Sequence, residues 1–298
     1  MSGSHETYIY KTYENCKIYA DVFHASNSSG LTPAIIWIHG GGLIFGSRKR
    51  INPVQLKRYT RLRCTVVSID YRLAPETKLP SIIEDIQDAC EWVREIGPKL
   101  FHTDPERIAI IGHSAGGYLS LIAGFSVFPR PKVLVSFYGY GDITGEWCSK
   151  PSPFYCQQPF VSKEKAYGLV GSSIITEGQD DRNLFYLYCR QQGVWPKEVS
   201  GYDPVTNSSA FLPLCPIHNI SSDFPPTLFL HGDKDTDVPY QQSVVMANTL
   251  DRVGVENKLI IVPDGGHVFD ENMQNPIISS TFDAVLEFMM KHLKIFAT

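Results

Sequence analysis

The stretch Arg107-Ile108-Ala109-Ile110-Ile111-Gly112-His113-Ser114-Ala115-Gly116-Gly117-Tyr118-Leu119-Ser120-Leu121 decides the fold. From residue 108 to residue 129 the chain carries no Asp, Glu, Lys or Arg, a run that approaches the length of a membrane span. Its pattern changes half-way, however. The first part is β-branched and reads as a buried strand over 107–112; the second reads as a buried helix over 115–125, and glycines crowd the junction. Strand, sharp turn and helix follow one another, with Ser114 at the turn. A side chain two residues to either side of that serine would collide with neighbouring backbone, which accounts for Gly112 and Gly116. The serine hydroxyl is thereby presented at a helix N-terminus, where the dipole favours negative charge.

Working outward, short Ile- and Val-rich runs bounded by Gly, Pro or Asp predict further buried strands at 34–39, 65–70, 132–138, 227–231 and 257–262. Helical spacing predicts helices at 53–62, 82–96, 241–253 and 277–292. Strands alternating with helices specify an α/β protein with a mostly parallel, doubly wound sheet. Before it, 8–10 and 16–23 read as two antiparallel strands, with Asn27-Ser28-Ser29-Gly30 as a loop. The alternation breaks over 140–224, where prolines, aromatics and short helical patterns at 163–170 and 183–192 replace it. The expected organisation is a single domain over 1–298 with a helical cap inserted at 140–224. A cap over the carboxyl ends of the strands puts its aromatics, Phe154, Tyr155, Phe160, Tyr186, Tyr188 and Trp195, either in a ligand pocket or in a core of its own.

A serine at its ordinary pKa is a poor nucleophile, so a histidine must take its proton and a carboxylate must orient that histidine. His267 lies in Pro263-Asp264-Gly265-Gly266-His267, directly after the last predicted strand, whereas His231 ends a strand and supports the loop behind it. His292 sits on a charged terminal helix. The acid comes from His231-Gly232-Asp233-Lys234-Asp235-Thr236-Asp237, which offers three aspartates after the penultimate strand; the unused ones are expected to cap turns and helices. A fourth element, His39-Gly40-Gly41-Gly42, also follows a strand. Its glycines bring backbone N–H groups close to a substrate oxygen, and the expected donors are the amides of Gly41, Gly42 and Ala115. No Gly-Lys-Ser/Thr ending marks it as a phosphate cradle.

Three segments together resemble the hormone-sensitive-lipase-type esterases of the α/β-hydrolase superfamily: His39–Gly42, Gly112-His113-Ser114-Ala115-Gly116-Gly117, and Asp70-Tyr71-Arg72-Leu73-Ala74-Pro75-Glu76. The resemblance covers roughly residues 34 to 125 and 226 to 270. It implies an α/β-hydrolase fold and a serine carboxylesterase with Ser114 as nucleophile, His267 as general base and Asp235, the third residue after the glycine in His-Gly-x-x-Asp, as the orienting acid. Asp237 and then Asp233 stand behind it. Short to medium acyl esters are the implied small-molecule substrates, with no metal or organic cofactor. The chain departs from that family in two ways. His113 stands where the family has Asp, a form similar to feruloyl-esterase-like and prolyl-oligopeptidase-like relatives, and the insertion follows the strand ending near Tyr138. An amidase, peptidase or formamidase with the same three residues, and a non-catalytic receptor of the same fold, are the competing readings.

Composition excludes other classes. A formal net charge of -4, with 19% charged residues, gives no basic surface for nucleic acid. The seven cysteines lack any Cys-x-x-Cys pairing and are odd in number, which predicts free thiols and a reducing, cytoplasmic setting, with a Cys148–Cys156 bridge as the alternative. The first residues lack the basic and apolar runs of a secretory signal. Asn27, Asn207 and Asn219 open Asn-x-Ser triplets that matter only in a secreted chain.

Overall fold

The computed structural model describes residues 5–26 and 30–296; the readings of the extreme N-terminus and of the loop at 27–29 lie outside the described residues. Two strands lead in, β1 (Glu6–Tyr13) and β2 (Cys16–Phe23), followed by β3 (Thr32–Ile38), α1 (Pro53–Arg61), β4 (Thr65–Ile69), α2 (Leu79–Leu100), β5 (Thr103–His113), α3 (Ala115–Ser126) and β6 (Val133–Phe137). The next segment holds only short helices, α4 (Glu146–Ser149), α5 (Lys163–Tyr167), α6 (Asn183–Gln192) and α7 (Trp195–Ser200). The alternation then resumes with β7 (Thr227–Gly232), α8 (Gln241–Arg252), β8 (Asn257–Val262) and α9 (Pro276–Leu293).

The eight strands form one sheet in the order β1-β2-β4-β3-β5-β6-β7-β8. β1 pairs with β2, and β2 with β4, antiparallel; every pair from β4 through β8 is parallel. This is the α/β-hydrolase architecture the motifs implied. Every residue of β3, β4 and β6 is buried, as continuous apolar runs require when helices cover both faces. Along β3 the side chains alternate. Ala34, Ile36 and Ile38 join the core under α2, α3 and α8, whereas Ile35 and Trp37 join the core under α1 and α9.

The predicted elements shift at their ends. α2 begins at Leu79, earlier than the apolar spacing indicated, because Pro80 suits a first helical turn. β8, read as buried, is mostly half-exposed because it is the sheet's edge and only β7 flanks it. All seven cysteines are free, so the alternative of a Cys148–Cys156 bridge is not realised. Among the described residues no helix is long and apolar enough to cross a membrane, and 108–129 is indeed divided between β5 and α3.

Candidate active site

The site assembles at the carboxyl ends of β3, β5, β7 and β8. Ser114 sits between β5 and α3 with φ +54° and ψ −116°, a backbone region that residues with a side chain rarely adopt. Close packing forces it there. A Cβ on Gly112 would fall 1.9 Å from the Gly116 carbonyl oxygen, and one on Gly116 would fall 2.1 Å from that of Ile38. The turn is therefore so tight that only hydrogen fits at both flanks.

Ser114 Oγ lies 3.0 Å from His267 Nε2, and His267 Nδ1 lies 2.7 Å from Asp235 Oδ2. Of the three aspartates left open by the spacing, Asp235 is thus the one that meets the ring nitrogen remote from the serine. Its other oxygen accepts the backbone N–H groups of Asp237 and Val238, both at 2.9 Å. His231 Nε2 stands 3.0 Å from the Val238 carbonyl and 3.2 Å from Asp235 Oδ2, so it braces the acid loop as expected. Only a protonated Nε2 suits both oxygens, which leaves Nδ1 to accept from Ser243 Oγ at 2.8 Å. Burial alone would push the Asp235 carboxyl up, but the bonds from His231 and His267 outweigh it and hold Asp235 well below the usual carboxylate range. Burial likewise depresses His267, yet the carboxylates of Asp237 and Asp235 prevail and raise it above an ordinary histidine.

His39–Gly42 lies beside the elbow, since β3 and β5 are neighbours. Among the described residues the N–H groups of Gly41 and Gly42 have no acceptor. Gly41 adopts φ +110°, and its carbonyl accepts from Ile44 and Phe45 at 2.9 and 3.0 Å. The segment 70–76, recognised only as a pattern, proves to be the scaffold of this loop. Tyr71 stacks on the His39 ring at 4.3 Å and donates to the His39 carbonyl at 3.0 Å. Ala74 N–H bonds Leu43 at 2.8 Å. Glu76 pairs with Arg182 at 2.7 Å, and Arg182 in turn donates to the Ile44 and Ala74 carbonyls, each at 2.8 Å.

The family model described as the alpha/beta hydrolase fold matches residues 35–271. The chain belongs to that family. Among curated relatives, this alpha/beta hydrolase is 27% identical to the non-reducing polyketide synthase ausA of Emericella nidulans, over 97% of the chain but only 14% of the synthase. It therefore spans about a seventh of that relative's length. Among solved structures, a protein with unknown function from Staphylococcus aureus aligns with a TM-score of 0.80 at 24% identity, covering 97% of this chain and 99% of the other. The propionate-bound esterase Est2 of Thermogutta terrifontis aligns with a TM-score of 0.68 at 19% identity, covering 99% and 96%. Both likenesses show the fold.

Ser114 and His267 open into a cavity of about 190 Å³. Of the six aromatics of the insertion singled out in the sequence, only Tyr186 lines it; Phe160 is 74% exposed, and Trp195 acts from behind, donating to the Gly42 carbonyl at 2.9 Å. Asp237 corrects the expectation that spare aspartates cap turns. It lines the cavity, with Oδ2 3.6 Å from His267 Nε2, accepts from Tyr186 Oη at 2.7 Å and pairs closely with the buried Arg190. The sequence signal for this clamp was the i, i+4 spacing of Tyr186 and Arg190 on α6. A second cluster also escaped the sequence reading. Asp270 accepts from Tyr138 Oη at 2.7 Å and Gln55 Nε2 at 2.6 Å, and touches His113 Nε2 at 3.0 Å. Burial opposes this charge, but His113, Tyr138 and Gln55 hold the Asp270 carboxyl down at about 2. His113, the departure from the lipase-type pattern, thus lines the cavity beside Ser114, paired with Asp270 and stacked on Phe137 at 4.3 Å. Among the described residues no group of three or more His, Cys, Asp or Glu side chains is arranged to hold a metal ion.

Proposed function

We propose that the chain is a serine carboxylesterase acting on short acyl esters. The observation that carries this reading is the continuous hydrogen-bonded line from Ser114 Oγ through His267 to Asp235, opening on a small cavity beside unpaired backbone N–H groups. Ser114 attacks the ester carbonyl as His267 Nε2 takes its proton; Asp235 keeps Nδ1 protonated and stabilises the imidazolium. The amides of Gly41, Gly42 and Ala115 receive the oxyanion. Collapse returns the proton from His267 to the departing alcohol, and water activated by the same nitrogen then releases the acid and frees Ser114. A volume of about 190 Å³ falls below the roughly 300–1,000 Å³ of pockets for drug-sized ligands, which favours short acyl chains. The insertion at 140–224, reaching the site through Tyr186, Arg190 and Trp195, acts as the cap.

The match to a polyketide synthase supports a second reading, in which the same serine accepts a polyketide-type acyl group. Hydrolysis of p-nitrophenyl acetate, butyrate, octanoate and palmitate by the wild type and Ser114→Ala tests the first. Activity should fall with chain length and disappear in the variant. Wild type inert on all four, but reactive with an aromatic acyl thioester, would transfer support to the second.

A further inference from the structure

Asp237, a carboxylate on the cavity wall, approaches the histidine nitrogen that faces the serine, with Oδ2 3.6 Å from His267 Nε2. Its aim is fixed from the acid loop and from α6. The Asp237 backbone N–H donates to Asp235 Oδ1 at 2.9 Å, and its carbonyl accepts from Arg190 Nη2 at 3.0 Å. Its Oδ1 takes both the Tyr186 hydroxyl, at 2.7 Å, and Arg190 Nη1. Oδ2 is thereby turned toward His267. Tyr155 also reaches this carboxylate from the insertion, and a carboxylate oxygen accepts more than one hydrogen bond.

Nε2 of neutral His267 and a carboxylate oxygen are both acceptors, so they do not bond each other; across 3.6 Å they suit one small molecule that donates to both. In the resting site Nε2 accepts from Ser114, but once that oxygen is esterified it has no hydrogen left to give. Water has two. It gives one to Nε2 and one to Asp237 Oδ2, whereas an alcohol has a single hydrogen, needed at Nε2, and turns a lone pair or its alkyl group toward the carboxylate. We infer that Asp237 is a further catalytic residue, whose Oδ2 orients the deacylating water and makes water, rather than an alcohol, the preferred acceptor of the acyl group. The inference rests on the serine-esterase reading of the site. As the water oxygen bonds the acyl carbon, its first proton passes to Nε2 and its second stays on the new hydroxyl, held by Asp237. The bond from the acyl carbon to Ser114 Oγ then breaks, and Oγ recovers the proton from Nε2. This step follows departure of the alcohol and so lies outside kcat/KM.

The test is a partition. Wild type and Asp237→Asn cleave p-nitrophenyl butyrate in a fixed concentration of methanol, at a pH where His267 is neutral, and the methyl butyrate and butyrate formed are measured. Arg190 only donates, so in the variant the amide oxygen stays on it and the NH2 group takes the place of Oδ2, where it cannot accept from water. The ratio of methyl ester to acid should rise about tenfold over the wild type, the effect of losing one hydrogen bond to a charged group. A merely structural role, or a change in the strength of the base, acts on water and methanol alike and leaves the ratio where it was. An unchanged ratio therefore overturns the inference. Should Asp237→Asn fail its thermal melt for want of a partner to Arg190, Asp237→Leu combined with Arg190→Met replaces the buried pair with apolar groups, and the same rise is expected of it. Release of no nitrophenol by the wild type would overturn the esterase reading and this inference with it, whereas nitrophenol release with an unchanged ratio overturns the inference alone.

Discussion

The parallel sheet and the segment at 138–226 that interrupts it bring residues to the same site by different physical means. In the sheet, position is a property of backbone. β3, β5, β7 and β8 run parallel and deliver their following loops to one end, so Gly41, Ser114, Asp235 and His267 converge although they are far apart in the chain. In the segment between β6 and β7, position is a property of individual side chains. Its helices are short, and its hold on the site passes through Arg182 to Glu76, Arg190 to Asp237 and Trp195 to Gly42. Repeated backbone pairing tolerates substitution of any one apolar residue, whereas a buried ion pair fails when one member is removed. The proposed chemistry should therefore be vulnerable in the sheet-borne loops, and the stability of the segment at 138–226 in its few charged side chains.

The largest effect expected is on turnover. Ser114→Ala should lower ester hydrolysis by about ten-thousandfold or more, with a thermal midpoint no lower than that of the wild type. A large loss of stability would break the comparison, because it would mean that the elbow also holds the fold together.

Next comes Arg182→Met in the insertion. Glu76, 1% exposed at its side chain, would be left without its guanidinium, at a cost of about 3–5 kcal/mol in chemical denaturation. A cost within about 0.5 kcal/mol of zero would show that the insertion is held by apolar packing instead.

Smaller is the effect of Trp195→Phe, which keeps the buried ring but frees the Gly42 carbonyl. One hydrogen bond is worth about 1 kcal/mol, so kcat/KM should fall about fivefold, in kcat rather than in KM if the loop serves the transition state.

The finest test is Asp237→Asn, read in the pH profile of kcat/KM. On the proposed mechanism the reaction needs neutral His267, whose pKa the neighbouring carboxylates raise, so activity should be lost as pH falls through that raised value. Removing the Asp237 charge lowers the imidazole pKa and moves the acid limb to lower pH, with the alkaline plateau changed by no more than about threefold. An unmoved acid limb would separate Asp237 from the proposed base and leave it to the contacts with Tyr186 and Arg190 alone.

The same contrast explains what the sequence could reveal. The strands and most of the helices were legible because burial on both faces imposes long apolar runs, and the elbow because steric closeness demands glycine at positions 112 and 116. The order of elements then put Ser114, an acid after β7 and His267 at one edge. Selecting Asp235 from three aspartates needed the family resemblance, since the spacing alone does not distinguish residues two apart in a loop. Asp237, Asp270 and Arg190 were opaque for a different reason. Their partners lie 47, 132 and 215 positions away, in Asp237–Arg190, Tyr138–Asp270 and Gln55–Asp270, and local spacing registers only the Tyr186–Arg190 half of the clamp, never its acid. The exact ends of α2 and the exposure of β8 depended on tertiary placement in the same way.

The central claim is that Ser114 is the nucleophile of an acyl-transfer site. Reaction of the intact chain with a fluorophosphonate, followed by peptide mass mapping, tests it most directly. The account predicts one adduct per chain, on the peptide carrying Ser114, suppressed by Asp235→Asn and absent from Ser114→Ala. A folded wild type that takes up no label, or a label on another residue that persists in Ser114→Ala, would contradict it.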